Sequence, residues 1–208
     1  MKGRIKAVVF DYGGVISLRP SREEREALAA MAGISAGRLD ELDRKRRLEY
    51  DRGLFDGEGY YRAILAEEGI FPDGERLERM SGADMDGWKR INTGTERLME
   101  DIGALGCGVA ILSNMPFDFL AWARENMPVF TRYSGVFSCE AGAVKPEPAI
   151  YEKLVSLLGC AFGEVVFFDD LRQNVDGALS MGIRAFVFTD SASARKTLRA
   201  VDEAFAGL

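Results

Sequence analysis

Continuous apolar runs alternate with amphipathic segments along most of the chain. The runs lie at 7–10, 109–112, 135–137, 165–168 and 185–188, and most are rich in β-branched or aromatic residues. A run without polar alternation is typical of a strand that is covered on both faces, as in a parallel sheet. Between the runs, apolar residues recur at helical spacing. This alternation predicts a doubly wound α/β fold with a parallel sheet and right-handed crossovers.

The stretch from 17 to 91 breaks this alternation, because it contains no segment typical of a buried strand. Ser21 begins a capping-box pattern, Gly33 is placed to end the same helix, and further amphipathic segments follow. We therefore predict an all-helical insert, here named the cap, at residues 17–91. The core is predicted to consist of residues 1–16 and 92–208.

Three smaller features add detail to this outline. Thr95 is predicted to cap the helix that precedes the second strand, and the last helix is predicted to span about 193–206. The basic run Arg44–Arg47 in the cap is interpreted as a solvated helix face. The alternative is that this run and the nearby tyrosines contact an anionic part of a substrate.

Charge and composition exclude several classes of function. The 208 residues carry a net charge of −6 and have a pI near 5.0, which argues against a nucleic-acid surface and gives no sign of a membrane surface. No apolar segment approaches the roughly 20 residues that cross a bilayer. The chain has no histidine, so Ser-His-Asp and Cys-His nucleophiles and histidine-ligated zinc are excluded. Its three cysteines lack metal-site spacing, and we expect a reduced, cytoplasmic protein without a signal peptide.

Polar side chains follow three of the predicted strands. Because parallel strands share one carboxyl edge, these side chains are expected to converge at that edge of the sheet. Gly13 and Gly14, directly after the first strand, are expected to turn the chain sharply and to bring backbone amides close to a bound anion. The converging side chains are those of Asp11, Ser113, Asn114, Asp169 and Asp170.

Three carboxylates at one edge cannot all be ionised without compensating positive charge. Lys145 offers one such charge, and a hard divalent cation such as Mg²⁺, which prefers oxygen ligands, would offer the rest. A site of this composition suits a phosphoryl group, because the cations neutralise its charge while Ser113 and backbone amides donate hydrogen bonds to its oxygens. With neither histidine nor an obviously activated serine or cysteine, a carboxylate is the expected nucleophile, forming an acyl-phosphate intermediate.

Four motifs in chain order resemble those of the haloacid dehalogenase-like (HAD) hydrolase superfamily. They are Phe10-Asp11-Tyr12-Gly13-Gly14-Val15, Leu112-Ser113-Asn114, Lys145-Pro146-Glu147 and Phe168-Asp169-Asp170. The resemblance extends over essentially the whole chain, although the cap matches by position and helicity rather than by motif. It implies a Rossmann-like core with a helical cap, Mg²⁺ as cofactor, and hydrolysis of small phosphorylated metabolites, sugar phosphates among them.

The resemblance also implies roles for individual residues. Asp11 is the nucleophile, and Lys145 orients both Asp11 and the transferred phosphoryl group. The groups expected to hold the phosphoryl oxygens are Ser113, Asn114 and the backbone of Gly14. The groups expected to bind the metal ion are Asp11, the backbone carbonyl of Gly13, Asp170 and, as a ligand or as a partner of the metal-bound waters and Lys145, Asp169.

One position departs from the pattern of phosphatases in this family. They usually carry a second aspartate two residues after the nucleophile, as general acid for the leaving group and base for hydrolysis, whereas this chain has Gly13. Such acid–base catalysis is typically worth about 10²–10⁴-fold. A substrate with a good leaving group, such as an acyl or anomeric phosphate, is expected to suffer least. Replacement of the missing acid by a cap carboxylate or by Tyr12 is the alternative.

Two other functions remain open at this point. The 2-haloacid dehalogenases share the carboxylate nucleophile, but they carry tyrosine two residues after it and do not need the metal ligand at Asp170. A phosphate- or metabolite-binding module that has lost turnover would also explain the missing acid. The expected partner is a small phosphorylated molecule, with no nucleic acid and no membrane. The sequence predicts neither the oligomeric state nor the identity of the substrate.

Overall fold

Five parallel strands form a single sheet in the computed structural model, which describes residues 4–208. The strand order is β3-β2-β1-β4-β5, so the chain winds outward from β1 in both directions. This arrangement confirms the predicted doubly wound α/β fold. The strands are β1 (Ala7–Phe10), β2 (Gly108–Ser113), β3 (Ser134–Phe137), β4 (Val165–Asp169) and β5 (Arg184–Val187).

Helices cover both faces of the sheet, which explains why its strands are apolar without alternation. The helices of the core are α5 (Thr93–Ala104), α6 (Phe117–Asn126), α7 (Pro128–Arg132), α8 (Ser138–Ala141), α9 (Pro148–Leu158), α10 (Arg172–Ser180) and α11 (Ser191–Val201). Val8 and Phe10 pack into a core with α5, α6 and α11, whereas Val9 packs into a second core with α9 and α10. These side chains alternate between the two faces because successive residues of a strand point in opposite directions.

The cap is formed by four helices with a separate hydrophobic core. The capping box at Ser21 and the left-handed residue Gly33, with φ of 72°, lie at the two ends of α1 as expected. The rings of Tyr50 and Tyr60 stack in the cap core with centroids 4.6 Å apart. The cap helices are α1 (Arg22–Ala32), α2 (Ala36–Asp51), α3 (Gly57–Ala66) and α4 (Gly74–Gly87).

The chain passes between core and cap twice, and the two passages lie side by side. Ser17 and Ile91 form an antiparallel bridge, and the backbone N–H of Asn92 donates to the carbonyl of Ile16 at 2.8 Å. These contacts support the predicted division of the chain at residues 17 and 91, which stays a prediction. They also place the entrance of the cap directly beside the end of β1. No helix within residues 4–208 has the length and apolarity needed to cross a membrane.

Two helix ends differ from the sequence-based expectation. Asn92, not Thr95, caps α5, because the Asn92 side chain accepts hydrogen bonds from the N–H groups of the next turn; Thr95 lies inside the helix. The last helix ends just before Asp202, whose carboxylate accepts from the backbone N–H groups of Ile5 and Ala204. The helix ends there because the backbone of Asp202 is extended, with φ of −152° and ψ of 134°, and a separate short turn follows at 203–205.

Candidate active site

The predicted polar groups meet at the carboxyl edge of the sheet. Asp11 directly follows β1, and its backbone N–H donates to the carbonyl of Phe168 at 2.9 Å, which keeps it in line with β4. Asp169 is the last residue of β4 and Ser113 is the last residue of β2. Both β2 and β4 pair with β1, so the three side chains come from neighbouring strands. Strand topology alone therefore brings them together.

Lys145 lies buried between two of these carboxylates. Its Nζ is 2.8 Å from Asp11 Oδ1 and 2.6 Å from Asp169 Oδ2, and it donates to the carbonyl of Leu112 at 3.1 Å. Only 1% of its side chain is exposed. The ammonium group of Lys145 thus joins the end of β1 to the end of β4, and its burial keeps water from screening its charge.

The side chain of Asn114 holds the backbone of Lys145 in place. Its Nδ2 donates to the Lys145 carbonyl at 3.1 Å, and its Oδ1 accepts from the Lys145 N–H at 2.7 Å. These two bonds give the Asn114 side chain a positioning role toward Lys145. Its Nδ2 has a second N–H group, and Asn114 also lines the cavity described below. The Ser113 hydroxyl is buried beside it and makes a long bond, 3.3 Å, to the Asn114 carbonyl.

Excess negative charge surrounds Asp11. Burial raises the pKa of Asp11 to about 8, and the carboxylates of Asp169 and Asp170 add to this, whereas Lys145 opposes it. Burial would lower the pKa of Lys145, but Asp11 and Asp169 raise it above its ordinary value. Lys145 therefore offsets only part of the effect that burial and the neighbouring carboxylates have on the pKa of Asp11. A further positive charge near Asp11 would lower this pKa.

Asp169 and Asp170 have different surroundings although they are neighbours. Asp169 is fully buried and, besides Lys145, accepts from the N–H of Leu171 at 2.8 Å and from Nδ2 of Asn174 at about 3.0 Å. Asp170 is partly exposed, and its Oδ2 is bound by Arg19 from the cap entrance, with Nε at 2.8 Å and Nη2 at 2.5 Å. Oxygens of Asp11, Asp169 and Asp170 lie within 4.8 Å of one another.

Of the two glycines after Asp11, only Gly14 needs to be glycine for its backbone. Its φ is 74°, and a Cβ there would lie 2.0 Å from Oδ2 of Asp170. Gly13 has φ of −68° and ψ of 120°, which any residue can adopt. Gly13 and Gly14 have the backbone angles of the two central residues of a type II turn, so the expected sharp turn is present at both glycines, although only Gly14 requires glycine for it.

A cavity of about 700 Å³ lies between this edge and the cap. Its core side includes Asp11 and Lys145, and apolar side chains form much of the remaining wall. On the cap side Arg47 is bound by Asp51 at 3.0 Å and by Asp84 at 3.3 Å. Within the basic run, Arg47 is therefore largely buried and lines the cavity. The interpretation as a solvated face is wrong for this residue.

A family model describing haloacid dehalogenase-like hydrolases matches residues 5–182. The chain belongs to this family. The match covers the sheet from β1 to β4 and the whole cap, and it includes all four motifs that carried the resemblance.

Relatives of this hydrolase include named phosphatases. The sesquiterpene phosphatase astK of Aspergillus oryzae is 24% identical over 203 residues, which cover 93% of this chain and 95% of the relative. Phosphatase MT3486 of Mycobacterium tuberculosis is 26% identical over 202 residues, covering 92% of this chain and 90% of the relative.

Solved structures share its fold. A HAD family enzyme from Bacteroides thetaiotaomicron, in complex with magnesium and inorganic phosphate, superposes with a TM-score of 0.68 at 22% identity and covers 89% of this chain and 95% of its own. The L-2-haloacid dehalogenase of Xanthobacter autotrophicus superposes with a TM-score of 0.65 at 25% identity, covering 93% and 82%.

Two residues at the site of this hydrolase were not singled out from the sequence. Arg19 lies two residues after Ser17 and binds Asp170, and Trp88 directly follows α4 with its ring against Gly13. Both lie next to the bridge between Ser17 and Ile91, where the chain leaves and re-enters the core. A basic or aromatic residue within a few positions of a cap boundary is the signal that could have identified them.

Proposed function

We propose that this protein is a Mg²⁺-dependent phosphatase of small phosphorylated metabolites that acts through an aspartyl-phosphate intermediate on Asp11. The observation that carries the proposal is the cluster of Asp11, Lys145, Asp169 and Asp170 at the base of the cavity. Lys145 contacts Asp11 and Asp169, and oxygens of the three carboxylates lie within 4.8 Å of one another. The two relatives named as phosphatases support the same class of reaction.

The donor set fits a magnesium ion. All candidate ligands are oxygens, which Mg²⁺ prefers. Burial and, after it, the neighbouring carboxylates raise the pKa of Asp11, and a bound divalent cation would oppose this shift. Asp11, Asp170 and the carbonyl of Gly13 are the proposed ligands. Asp169 already accepts hydrogen bonds from Lys145 and Asn174, so we assign it the role of a partner to Lys145. When bound, the metal would neutralise charge on the transferred phosphoryl group.

The protein groups would carry the reaction in two displacements. An oxygen of Asp11 attacks phosphorus, the bond between phosphorus and the leaving-group oxygen breaks, and the leaving group keeps the electron pair. Water then attacks the same phosphorus, the bond to Asp11 breaks, and inorganic phosphate leaves. Lys145 fixes the orientation of Asp11 through its Oδ1 and adds positive charge where the transferred oxygens gather negative charge.

Three further groups are proposed to bind the phosphoryl oxygens. The Ser113 hydroxyl and the backbone N–H groups of Asn114 and Gly14 lie near or at the carboxyl edge of the sheet. Gly14 lies so close to Asp170 that a side chain at this position would collide with the carboxylate. This close approach lets the backbone reach a ligand held between Asp11 and Asp170.

The test is release of inorganic phosphate from acetyl phosphate, glucose 1-phosphate and p-nitrophenyl phosphate, in Mg²⁺ or in EDTA. We expect release that requires the metal and falls at least about 10³-fold in D11N, because this variant lacks the nucleophile. D176N, which changes an exposed aspartate of α10, is the matched control and should keep wild-type activity.

Other outcomes of this assay would overturn the proposal. Binding of Mg²⁺ without phosphate release, here and from a wider panel of metabolites, would indicate a binding module. Release of chloride from 2-chloropropionate without a need for metal would instead indicate a dehalogenase, an alternative favoured by the shared fold of the Xanthobacter enzyme. Release that persists undiminished in D11N would exclude Asp11 as the nucleophile.

A further inference from the structure

The cavity is larger than the reaction centre at its base requires. Its volume of about 700 Å³ is room for roughly 20 non-hydrogen atoms, taking about 30 Å³ for each water-sized group. In the proposed reaction the transferred phosphoryl group occupies only the end next to Asp11 and Lys145. The rest of the space is therefore available to the leaving group of the substrate.

Apolar side chains from both core and cap line this space. They come from the segment that follows β2, from α2 and from the end of α4, namely Met115, Pro116, Phe119, Leu48, Met85 and Trp88. Such a wall gains free energy when it covers carbon, and it leaves hydroxyl groups without hydrogen-bond partners. Its two methionines adapt easily to the shape of an apolar ligand. The wall therefore favours a hydrocarbon leaving group over a sugar.

This apolar wall is held together across the boundary between core and cap. The ring of Phe119 packs against the rings of Tyr12 and Trp122, with centroids 5.3 and 5.9 Å away. The Tyr12 hydroxyl in turn donates to the carbonyl of Trp88 at 2.8 Å. Phe119 and Trp88 thus belong to one packed unit, so a ligand meets a surface that is already formed.

The basic group on the cap side of the cavity is Arg47, and carboxylates surround it. Its guanidinium is 3.0 Å from Asp51, 3.3 Å from Asp84 and 3.9 Å from Asp43, and it lies over the ring of Tyr50 at 5.5 Å. These four charged residues, here named the cap cluster, combine one positive with three negative charges. An anionic group of a substrate would meet excess negative charge there, which acts against its binding.

The other arginines that line the cavity lie towards solvent. Arg19 and Arg172 are paired with Asp170 and Asp176, and 59% and 76% of their side chains are exposed. Arg44 is exposed as well, so water and salt screen the charges of all three. They suit the attraction of a phosphate ester to the mouth of the cavity, but they do not form an anion site inside it.

We propose that this cavity selects phosphate monoesters whose leaving group is apolar and carries no second anionic group, with Asp51 and Asp84 as specificity-determining residues. The apolar wall favours carbon, and the two carboxylates occupy Arg47 so that it does not serve as an anion site. Sugar phosphates and substrates with a distant carboxylate or second phosphate are disfavoured. The inference rests on the proposed phosphatase function and adds the substrate class.

The first test measures kcat/KM for phenyl, 4-ethylphenyl and 4-propylphenyl phosphate. The leaving phenols are almost equally acidic, so differences report contacts of the alkyl group and not the chemistry of the leaving oxygen. We expect kcat/KM to rise about two- to threefold with each added methylene, because each buries more carbon against the wall. A flat or falling series would overturn the assignment of an apolar leaving group.

The second test compares 4-propylphenyl phosphate with its 4-(2-carbamoylethyl) and 4-(2-carboxyethyl) analogues, which have nearly the same shape and phenol acidity. We expect kcat/KM for the carboxylate to be at least about tenfold below that for the propyl compound, with the uncharged amide between them. Longer chains, up to five methylenes, carry the end group progressively further from the phosphoryl group. Equal values for amide and carboxylate at every length would overturn the role of charge.

The third test changes the cap cluster itself. D84N and D51N each remove one negative charge and leave Arg47 in place, so the ratio of carboxylate to propyl kcat/KM should rise at least about threefold. R47M removes the cation and should lower the same ratio. D86N changes an exposed aspartate of the same helix as Asp84 and should leave the ratio at the wild-type value. An unchanged ratio in both D84N and D51N would overturn their role.

The outcomes separate this inference from the proposed function. If acetyl phosphate gives no metal-dependent phosphate release, the function itself is wrong. If acetyl phosphate is hydrolysed but the carboxylate compound is preferred to the propyl compound, only the inference is wrong, and the basic run of the cap binds an anionic part of the substrate. The substrate series on the wild type decides between these outcomes even if the variants do not fold.

Discussion

Two buried ion clusters face each other across the cavity, and each combines one cation with several carboxylates. In the core, Lys145 lies between Asp11 and Asp169. In the cap, the guanidinium of Arg47 is bound by Asp51 and Asp84. Both clusters carry more negative than positive charge, since Asp170 lies beside the first and Asp43 is 3.9 Å from Arg47 in the second.

The difference between the clusters lies in what holds the carboxylates. The core carboxylates are fixed at the ends of paired strands, so they cannot move apart to relieve their repulsion. The cap carboxylates lie on two helices, α2 and α4, which Arg47 joins. A rigid cluster with excess negative charge suits the binding of a metal and a nucleophile, whereas the cap cluster serves to join helices.

Removing the core cation should have the largest effect. K145M leaves Asp11 and Asp169 without their shared partner, which we expect to lower the free energy of unfolding by about 3–5 kcal/mol. Phosphate release should fall at least about 10²-fold as well, because the charge on the transferred group loses a counter-ion. Urea unfolding and the phosphate assay measure the two effects. K153M, at an exposed position of α9, should show neither.

Removing the cap cation should lower the stability of the protein without lowering its rate of phosphate release. R47M leaves Asp51 and Asp84 unpaired, and it should destabilise the protein less than K145M because 23% of the Arg47 side chain is exposed. Turnover of acetyl phosphate, which is too small to reach the cap, should stay close to that of the wild type. A loss of acetyl phosphate turnover as large as that in K145M would show that the cap cluster belongs to the catalytic site.

Replacing Arg19 tests whether this residue competes with Mg²⁺ for Asp170 of the core cluster. It binds Oδ2 of Asp170 but 59% of its side chain is exposed, so its ion pair contributes little. In R19A we expect the apparent affinity for Mg²⁺, measured by calorimetry, to increase about two- to fivefold because a competing cation is gone. Weaker Mg²⁺ binding in R19A would show that Arg19 supports the metal site instead of competing with it.

The smallest expected effect concerns the pH dependence of stability that the buried Asp51 of the cap contributes. Burial raises the pKa of Asp51 above its ordinary 3.8, against the opposing effect of Arg47. A raised folded pKa gives stability that is complete below the unfolded pKa and is lost as the pH rises through the folded value. Asparagine does not titrate, so D51N should gain thermal stability relative to wild type as the pH rises above 3.8.

Melting temperatures of D51N and wild type over a pH series measure this difference. E58Q, at an exposed position of α3, is the matched control and should follow the wild type at every pH. A gap between D51N and wild type that stays constant, or that narrows as the pH rises, would contradict the assignment of an excess charge to the cap cluster.

The core cluster could be predicted from the sequence, whereas the contacts made by the cap could not. Asp11 and Asp169 follow apolar strands, and parallel topology brings strand ends together whatever the details of packing. The contact between Trp88 and Gly13, by contrast, depends on how the chain returns to the core after α4. The two residues are 75 positions apart, so no pattern in the sequence indicates that they meet. Asn92 was missed as a cap for a local reason, because Thr95 has equal capping chemistry three residues later.

The most direct measurement of the central claim is a pre-steady-state reaction with acetyl phosphate and Mg²⁺, quenched in acid and analysed by peptide mass. Acetate needs no proton to leave, whereas hydrolysis of the intermediate lacks a base at position 13, so the second step should be the slower one. The account predicts a burst of acetate and a phosphoryl group on the peptide containing Asp11, with neither in D11N. Linear acetate release, with no phosphoryl group on that peptide, would contradict it.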